Sequence, residues 1–201
     1  MTVIINYGAG NVGSVEKAVR YVGSDVLLSD RAEDIRSADK IILPGVGAFG
    51  STMQALSAHG LEDVIKEYIA SDRPFLGICL GLQALFDSSE ETPGCPGLSV
   101  FGGRILRIPS DCGLKVPHIG WNSISINPDC PMFKGIPDQS YVYFVHSYYL
   151  KADDESIVSA TAQYGVNIHA AIWSGNCFAT QFHPEKSGEV GLEMLRNFIS
   201  L

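Results

Sequence analysis

The first half of the chain alternates strand-length apolar runs with segments of helical periodicity, and this alternation limits the possible folds more than any other feature. Residues 2–6 are a short apolar run closed by Gly8 and Gly10. Val12, Val15, Val19 and Val22 then recur at helical spacing over residues 11–22. Further strands are expected at 25–28, at 40–43 (stopped by Pro44-Gly45) and at 75–78. Helices are expected at 49–58, 61–70 and 80–86, with Gly60 as the break between the first two. Strands that alternate with helices pair in parallel, with the helices covering both faces of the sheet.

The texture changes near residue 92. Gly, Pro and Cys punctuate 92–117, and strand-like runs follow at 104–108, 123–126, 141–150, 157–164, 170–173 and 178–182, separated by turns. This pattern predicts antiparallel hairpins. An amphipathic helix over 190–199 closes the chain. The expected fold class is α/β, with a central mixed, mostly parallel sheet flanked by helices and antiparallel strands in the second half. A length of 201 residues, 46% of them hydrophobic, fits a single domain over 1–201 with a sizeable core.

Charge narrows the function. A formal net charge of −8 argues against phosphate-tracking nucleic-acid binding and against an anionic membrane surface, since both call for basic patches. No apolar run approaches the roughly 18 to 20 residues of a membrane span, and the start of the chain lacks the pattern of a signal peptide. The five cysteines, at 79, 95, 112, 130 and 177, are odd in number and have no CxxC spacing. A disulfide framework or zinc ribbon is therefore not expected, nor any metal or cofactor. The natural setting is a reducing cytoplasm with a thiol free for chemistry.

Cys79 is the thiol that stands out. A strand runs straight into it, a helical segment follows, and Gly77 and Gly81 flank it at minus two and plus two. This is the nucleophile-elbow pattern with Cys in place of Ser, in which small neighbours let adjacent backbone pass close to a strained turn. A helix start at that point carries partial positive charge and favours a thiolate. The plain alternative is a buried core cysteine.

A base and an orienting group follow from His183-Pro184-Glu185, at the end of the run 178–182. Positions i and i+2 of an extended chain point to one side, and Pro184 disfavours helix before it. Glu185 is thus expected beside His183, in the nucleophile–base–orienter logic of hydrolytic triads. His59, His118, His146 and His169 compete as bases, but none has a carboxylate at plus two. The glycine-rich segment 44–50 follows the third strand, and its backbone N–H groups could receive an oxyanion together with the N–H of Leu80.

Three runs, PGVGAFG at 44–50, GICLGLQALF at 77–86 and QFHPEKS at 181–187, together resemble the triad-type (class I) glutamine amidotransferases. NYGAGNVGSV at 6–15, PHIGWN at 117–122 and YFVHSYY at 143–149 make the chain similar, more narrowly, to the family of glutaminase subunits of imidazole glycerol phosphate synthase. The resemblance implies that Cys79 attacks the side-chain amide of glutamine, that His183 carries the proton, and that Glu185 holds His183. It implies an oxyanion hole from the backbone of Val46 and Leu80, and glutamine-binding roles for Gly47, Gln83, Glu91, Ser147 and Tyr148. It also implies a separate cyclase subunit of (β/α)8 type, bound as a heterodimer, that receives the ammonia. The family pattern Asp-Tyr-Gly at the end of the first strand is here Asn6-Tyr7-Gly8, which puts in doubt any partner contact that relies on the carboxylate.

Three other readings compete. Gly8-Ala9-Gly10-Asn11-Val12-Gly13, with Asp30 further on, matches a dinucleotide-binding fingerprint. The aromatic-rich run 141–149 could belong to a non-catalytic binding module. A glutaminase subunit of another pathway would share the cysteine and His-Pro-Glu motifs.

Overall fold

A computed structural model of the chain describes residues 1–8, 11–110 and 113–201. The elements in chain order are β1 (Thr2–Ile5), α1 (Val12–Tyr21), β2 (Val26–Ser29), α2 (Ala32–Ser37), β3 (Lys40–Gly45), α3 (Phe49–Ala58), α4 (Glu62–Ala70), β4 (Phe75–Cys79) and α5 (Leu80–Gln83). They continue with β5 (Ser88–Ser89), β6 (Gly103–Arg107), β7 (His118–Ser123), β8 (Ser125–Ile126), β9 (Tyr141–His146), β10 (Tyr148–Ala152), β11 (Val158–Gln163), β12 (Asn167–Ser174), β13 (Cys177–Thr180) and α6 (Gly188–Ile199).

Side chains alternate across a strand, so each sheet strand feeds two cores. Ile4 and Ile42 join one buried cluster, while Val3, Ile5, Ile41 and Leu43 join the other. The first cluster takes in Val15 and Val19 of α1 and Met194, Leu195 and Phe198 of α6. The second takes in Ile35 of α2, Met53 and Leu56 of α3, and Val64, Ile65 and Tyr68 of α4. The helices thus cover both faces, as the alternation of the sequence requires.

The main sheet has eight strands in the order β2-β1-β3-β4-β13-β12-β11-β8. The pairs from β2 to β13 are parallel, and those from β13 to β8 are antiparallel. This is the mixed, mostly parallel sheet expected. Two smaller sheets, β10-β6-β5 and the ribbon β7-β9, flank it. No helix among the described residues is long and apolar enough to cross a membrane.

Four local expectations change. Pro44-Gly45 does not stop β3, which pairs through Pro44↔Ile78 and Gly45↔Cys79. The missing Pro44 N–H is tolerated because β1 pairs with β3 only as far as Ile42, and the Pro44 carbonyl accepts the Tyr7 hydroxyl at 2.9 Å. The helix expected over 80–86 is only Leu80–Gln83, because the chain tightens after it: the N–H groups of Leu85 and Phe86 bond the carbonyls of Leu82 and Gln83, three residues back. The strand expected over 141–150 breaks at Ser147 into β9 and β10, which belong to different sheets. The strand expected over 123–126 divides at Ile124, with His118–Ser123 forming β7 of the ribbon and Ser125–Ile126 forming β8 at the edge of the main sheet.

Phe198 is fully buried and meets Phe178 edge-on at 6.2 Å between ring centroids, locking α6 to β13. Phe198→Ala is expected to destabilise the fold by about 3–5 kcal/mol. Urea unfolding followed by circular dichroism should show the loss as a lower midpoint with an unchanged slope.

Candidate active site

The strands of the parallel half place their C-terminal ends together, and a site assembles on that edge, where open α/β sheets bind ligands. Cys79 is the last residue of β4 and the residue before α5. Its φ of 57° and ψ of −105° are a rare conformation for a non-glycine residue. Holding a side chain there costs on the order of 1–3 kcal/mol. Close backbone packing enforces it. A Cβ at position 81 would lie 1.9 Å from the Leu43 carbonyl oxygen, and one at position 77 would lie 2.6 Å from the Gly81 oxygen. The flanking glycines are therefore steric requirements of the elbow. The helix after it is a single turn, so the end charge expected of a longer helix reduces to unpaired first-turn N–H groups such as that of Leu80.

His183 follows β13 in extended geometry and precedes a 3₁₀ turn, Pro184–Lys186. Its Nδ1 lies 2.8 Å from Glu185 Oε1, and both side chains are almost wholly buried. The contact expected from an extended i, i+2 pair is present but is made through the tight turn. His183 N–H donates to the Tyr143 carbonyl at 3.0 Å, and Ser187 Oγ donates to the His183 carbonyl at 2.7 Å. These bonds hold the turn against β9. Burial pushes the His183 imidazolium down. The Cys79 sulfur and the Glu185 carboxylate outweigh burial and raise its pKa to about 9. The Nε2 atom has no hydrogen bond of full geometry, although Cys79 interacts with the ring.

A cavity of about 370 Å³, in the size range of small-molecule sites, brings the candidate residues together. Val46, Gly47, Cys79, Leu80, Gln83, Glu91, Ser147, Tyr148 and His183 all line it, and Glu185 lies behind His183. Glu91 has a second task, since its Oε2 accepts the Phe49 N–H at 2.7 Å and so caps α3 next to the 44–50 loop. Pro117, Val145 and Lys186 complete the lining without having been singled out, together with His146, one of the competing bases.

Sequence reasoning missed Gln181. It is fully buried, and its Nε2 donates to Cys79 Sγ at 3.6 Å. A long amide side chain in the run 178–182, whose neighbours are small or apolar, was the available signal.

The competing groups lie elsewhere or are disabled. Burial pushes the Cys130 thiol up to about 11 and raises that of Cys177 as well. Cys95 is half-buried near Pro96, and Cys112 lies outside the described residues. Burial lowers His118 to about 4 and His146 to about 3, and it lowers His169, whose Nδ1 accepts the Ala152 N–H. His59 faces Asp30 at 3.4 Å on the surface. Of the dinucleotide fingerprint, Gly10 lies outside the described residues, and Gly8, Gly13 and Asp30 are not part of the cavity. Among the described residues there is no cluster of groups able to hold a metal ion.

The model of the family "Glutamine amidotransferase class-I" matches residues 3–201. The chain belongs to the class-I glutamine amidotransferases. Its sequence is 50% identical to the imidazole glycerol phosphate synthase subunit HisH of Syntrophotalea carbinolica, over 98% of each chain. It is 49% identical to the HisH subunit of Methanothermobacter thermautotrophicus, over 100% of this chain and 98% of that one. Within the class-I amidotransferases the chain is therefore a member of the HisH family, which sets aside the dinucleotide-binding reading and that of another pathway's glutaminase. The solved structure of PurLQS from Thermotoga maritima superposes with a TM-score of 0.75 over 99% of this chain and 97% of that one, at 18% identity, and shows the shared fold.

Gly81→Ala tests the steric origin of the elbow. The added methyl meets backbone rather than a flexible side chain, so a loss of about 3 kcal/mol is expected, at the upper end of overpacking costs. Thermal unfolding of the variant measures it, and a melting temperature equal to that of the parent would refute the close approach.

Proposed function

We propose that this chain hydrolyses glutamine through Cys79, His183 and Glu185 and hands the ammonia to a cyclase subunit. The observation that carries the reading is the placement of the His183 ring between the Glu185 carboxylate, 2.8 Å from Nδ1, and the Cys79 sulfur, at one wall of a cavity lined by polar groups. The family supplies the substrate, since its members are amidotransferases that take nitrogen from glutamine.

Cys79 Sγ adds to the amide carbon of glutamine and makes a tetrahedral intermediate. The backbone N–H groups of Val46 and Leu80 receive its oxyanion. The carbon–nitrogen bond then breaks, and the leaving nitrogen takes a proton from His183 and departs as ammonia. The remaining glutamyl thioester is attacked by water, which gives its proton to His183, and glutamate leaves with restoration of the thiol. Glu185 fixes the imidazole and stabilises its charged form throughout. Gly47, Gln83, Glu91, Ser147 and Tyr148 hold the amino acid. Gln83 Oε1 is a buried acceptor with no protein partner and suits a donor group of the ligand.

Ammonia in water near neutral pH is mostly ammonium, which is not a nucleophile, so a closed route to the acceptor protects the product. The chain acts as one glutaminase domain over 1–201 and pairs in the cytoplasm with a (β/α)8 cyclase as a heterodimer. That partner makes imidazole glycerol phosphate and aminoimidazole carboxamide ribotide. The ribbon β7-β9 offers the docking face. Ile119 pairs with Val145, Trp121 with Tyr143 and Ser123 with Tyr141, so these side chains share one side. Ile119, Trp121 and Tyr141 are 59%, 55% and 61% exposed, a high exposure for a contiguous apolar group.

Cys79→Ala is expected to abolish glutamine-dependent synthesis in the complex with the cyclase while leaving synthesis from added ammonia intact. Retained glutamine turnover would refute Cys79 as the nucleophile. Glu185→Gln keeps an acceptor for Nδ1 but removes the charge that helps raise His183. The alkaline limb of the kcat/KM profile, expected near pH 9 in the parent, should then move down towards the ordinary imidazole range. A limb that stays in place would remove His183 as the acid.

A further inference from the structure

Buried amides do not persist beside a reactive sulfur without a network to orient them, and here the network can be read atom by atom. The Tyr148 carbonyl oxygen can only accept hydrogen bonds. It receives Gln83 Nε2 at 3.1 Å, so the Gln83 nitrogen must point towards it. The same nitrogen lies 3.0 Å from Gln181, whose facing atom is therefore its oxygen. The Gln181 NH₂ is left directed at Cys79 Sγ, 3.6 Å away. The other acceptor site of the Tyr148 carbonyl takes His146 Nδ1 at 2.8 Å, which requires a proton on that nitrogen. His146 is neutral, so its Nε2 accepts from His118 Nδ1 at 3.0 Å. One backbone oxygen thus fixes the direction of every bond from the ribbon β7-β9 to the sulfur.

We propose that Gln181 is a positioning residue of the glutaminase site, which holds the Cys79 sulfur towards the cavity through its side-chain N–H and is itself held by Gln83. The inference rests on the reading of Cys79 as nucleophile. Three observations support it. Gln181 is fully buried and lies on the strand line of β13, where its backbone N–H bonds Ala170 at 2.8 Å, so the amide has little freedom to turn. The strained elbow fixes the Cys79 backbone but leaves the χ1 torsion of the side chain open, and a donor aimed at Sγ closes that freedom. An N–H donor also favours a sulfur that carries negative charge, in the resting site and as the thioester breaks.

The test uses Gln181→Met, close in volume but unable to donate, in the complex with the cyclase. The expected result is a glutaminase kcat at least tenfold lower with KM within about threefold of the parent. Inactivation by iodoacetamide at Cys79 should slow by a similar factor, while synthesis from added ammonia is unchanged and so reports an intact complex. Alkylation and kcat within twofold of the parent would overturn the proposal, as would a fall in kcat with unaltered alkylation. If the Met variant does not fold, Gln181→Glu carries the same comparison, since a carboxylate can accept from Gln83 but cannot donate to sulfur. Failure of the underlying reading would look different, because the parent enzyme itself would then keep its glutamine turnover after Cys79 is alkylated.

Discussion

The close approach of β3, β4 and α5 at the elbow is the constraint on which the rest of the site depends. Parallel pairing through Gly45↔Cys79 brings the ends of two strands level. The Leu43 carbonyl then sits where any side chain at position 81 would have to be. This contact forces the chain to turn within one residue, throws Cys79 into a positive φ, and starts α5, whose first residue, Leu80, borders the cavity. The same level ending carries β3 directly into the 44–50 loop. Nucleophile and proposed oxyanion donors are thus two consequences of one backbone packing, and a local strain of a few kcal/mol is offset by the cores on both sides of the sheet.

Placing a titrating pair in such a site has a thermodynamic sign. The folded-state pKa of His183 is raised to about 9 from an ordinary 6.5, so folding takes up the proton more tightly. The stabilisation is complete below pH 6.5 and fades as pH rises through about 9. Near neutrality His183 is held charged although buried, which is tolerable because Glu185 is buried against it. The buried charge that serves the chemistry is also part of what the fold uses to place the turn after β13.

The sequence disclosed the parallel half well, because each strand there is a short apolar run with a helix after it, and both periods are strong. Cys79 stood out for the same reason: glycines at minus two and plus two have few causes other than close backbone. His183 and Glu185 were legible as a pair, although their contact runs through a 3₁₀ turn that Pro184 favours and spacing does not reveal. The antiparallel half was harder. Residues 141–150 read as one strand because nothing in their composition marks Ser147 as the point where the chain leaves the ribbon for another sheet, and that decision belongs to the partners β7 and β6. The short α5 was misjudged because its continuation tightens into i−3 bonds at Leu85 and Phe86, which the apolar periodicity does not distinguish from helix. Gln181 showed in the sequence only as a polar residue at a strand end; its hydrogen bonds to residues 83 and 79, distant in sequence, give it its meaning.

The break at Ser147 has a mechanical consequence. On one side of it, β9 presents Tyr141, Tyr143 and Val145 to the exposed face of the ribbon and His146 to the interior. On the other, the Tyr148 carbonyl accepts both His146 and Gln83. The segment proposed as the docking face is therefore also the segment that anchors the amide chain to the sulfur. A partner seated on Ile119 and Trp121 would act on β9 as a body, and through the Tyr148 carbonyl on the orientation of Gln83 and Gln181. On the proposed reading, a route from the partner to Cys79 would run through backbone and buried amides.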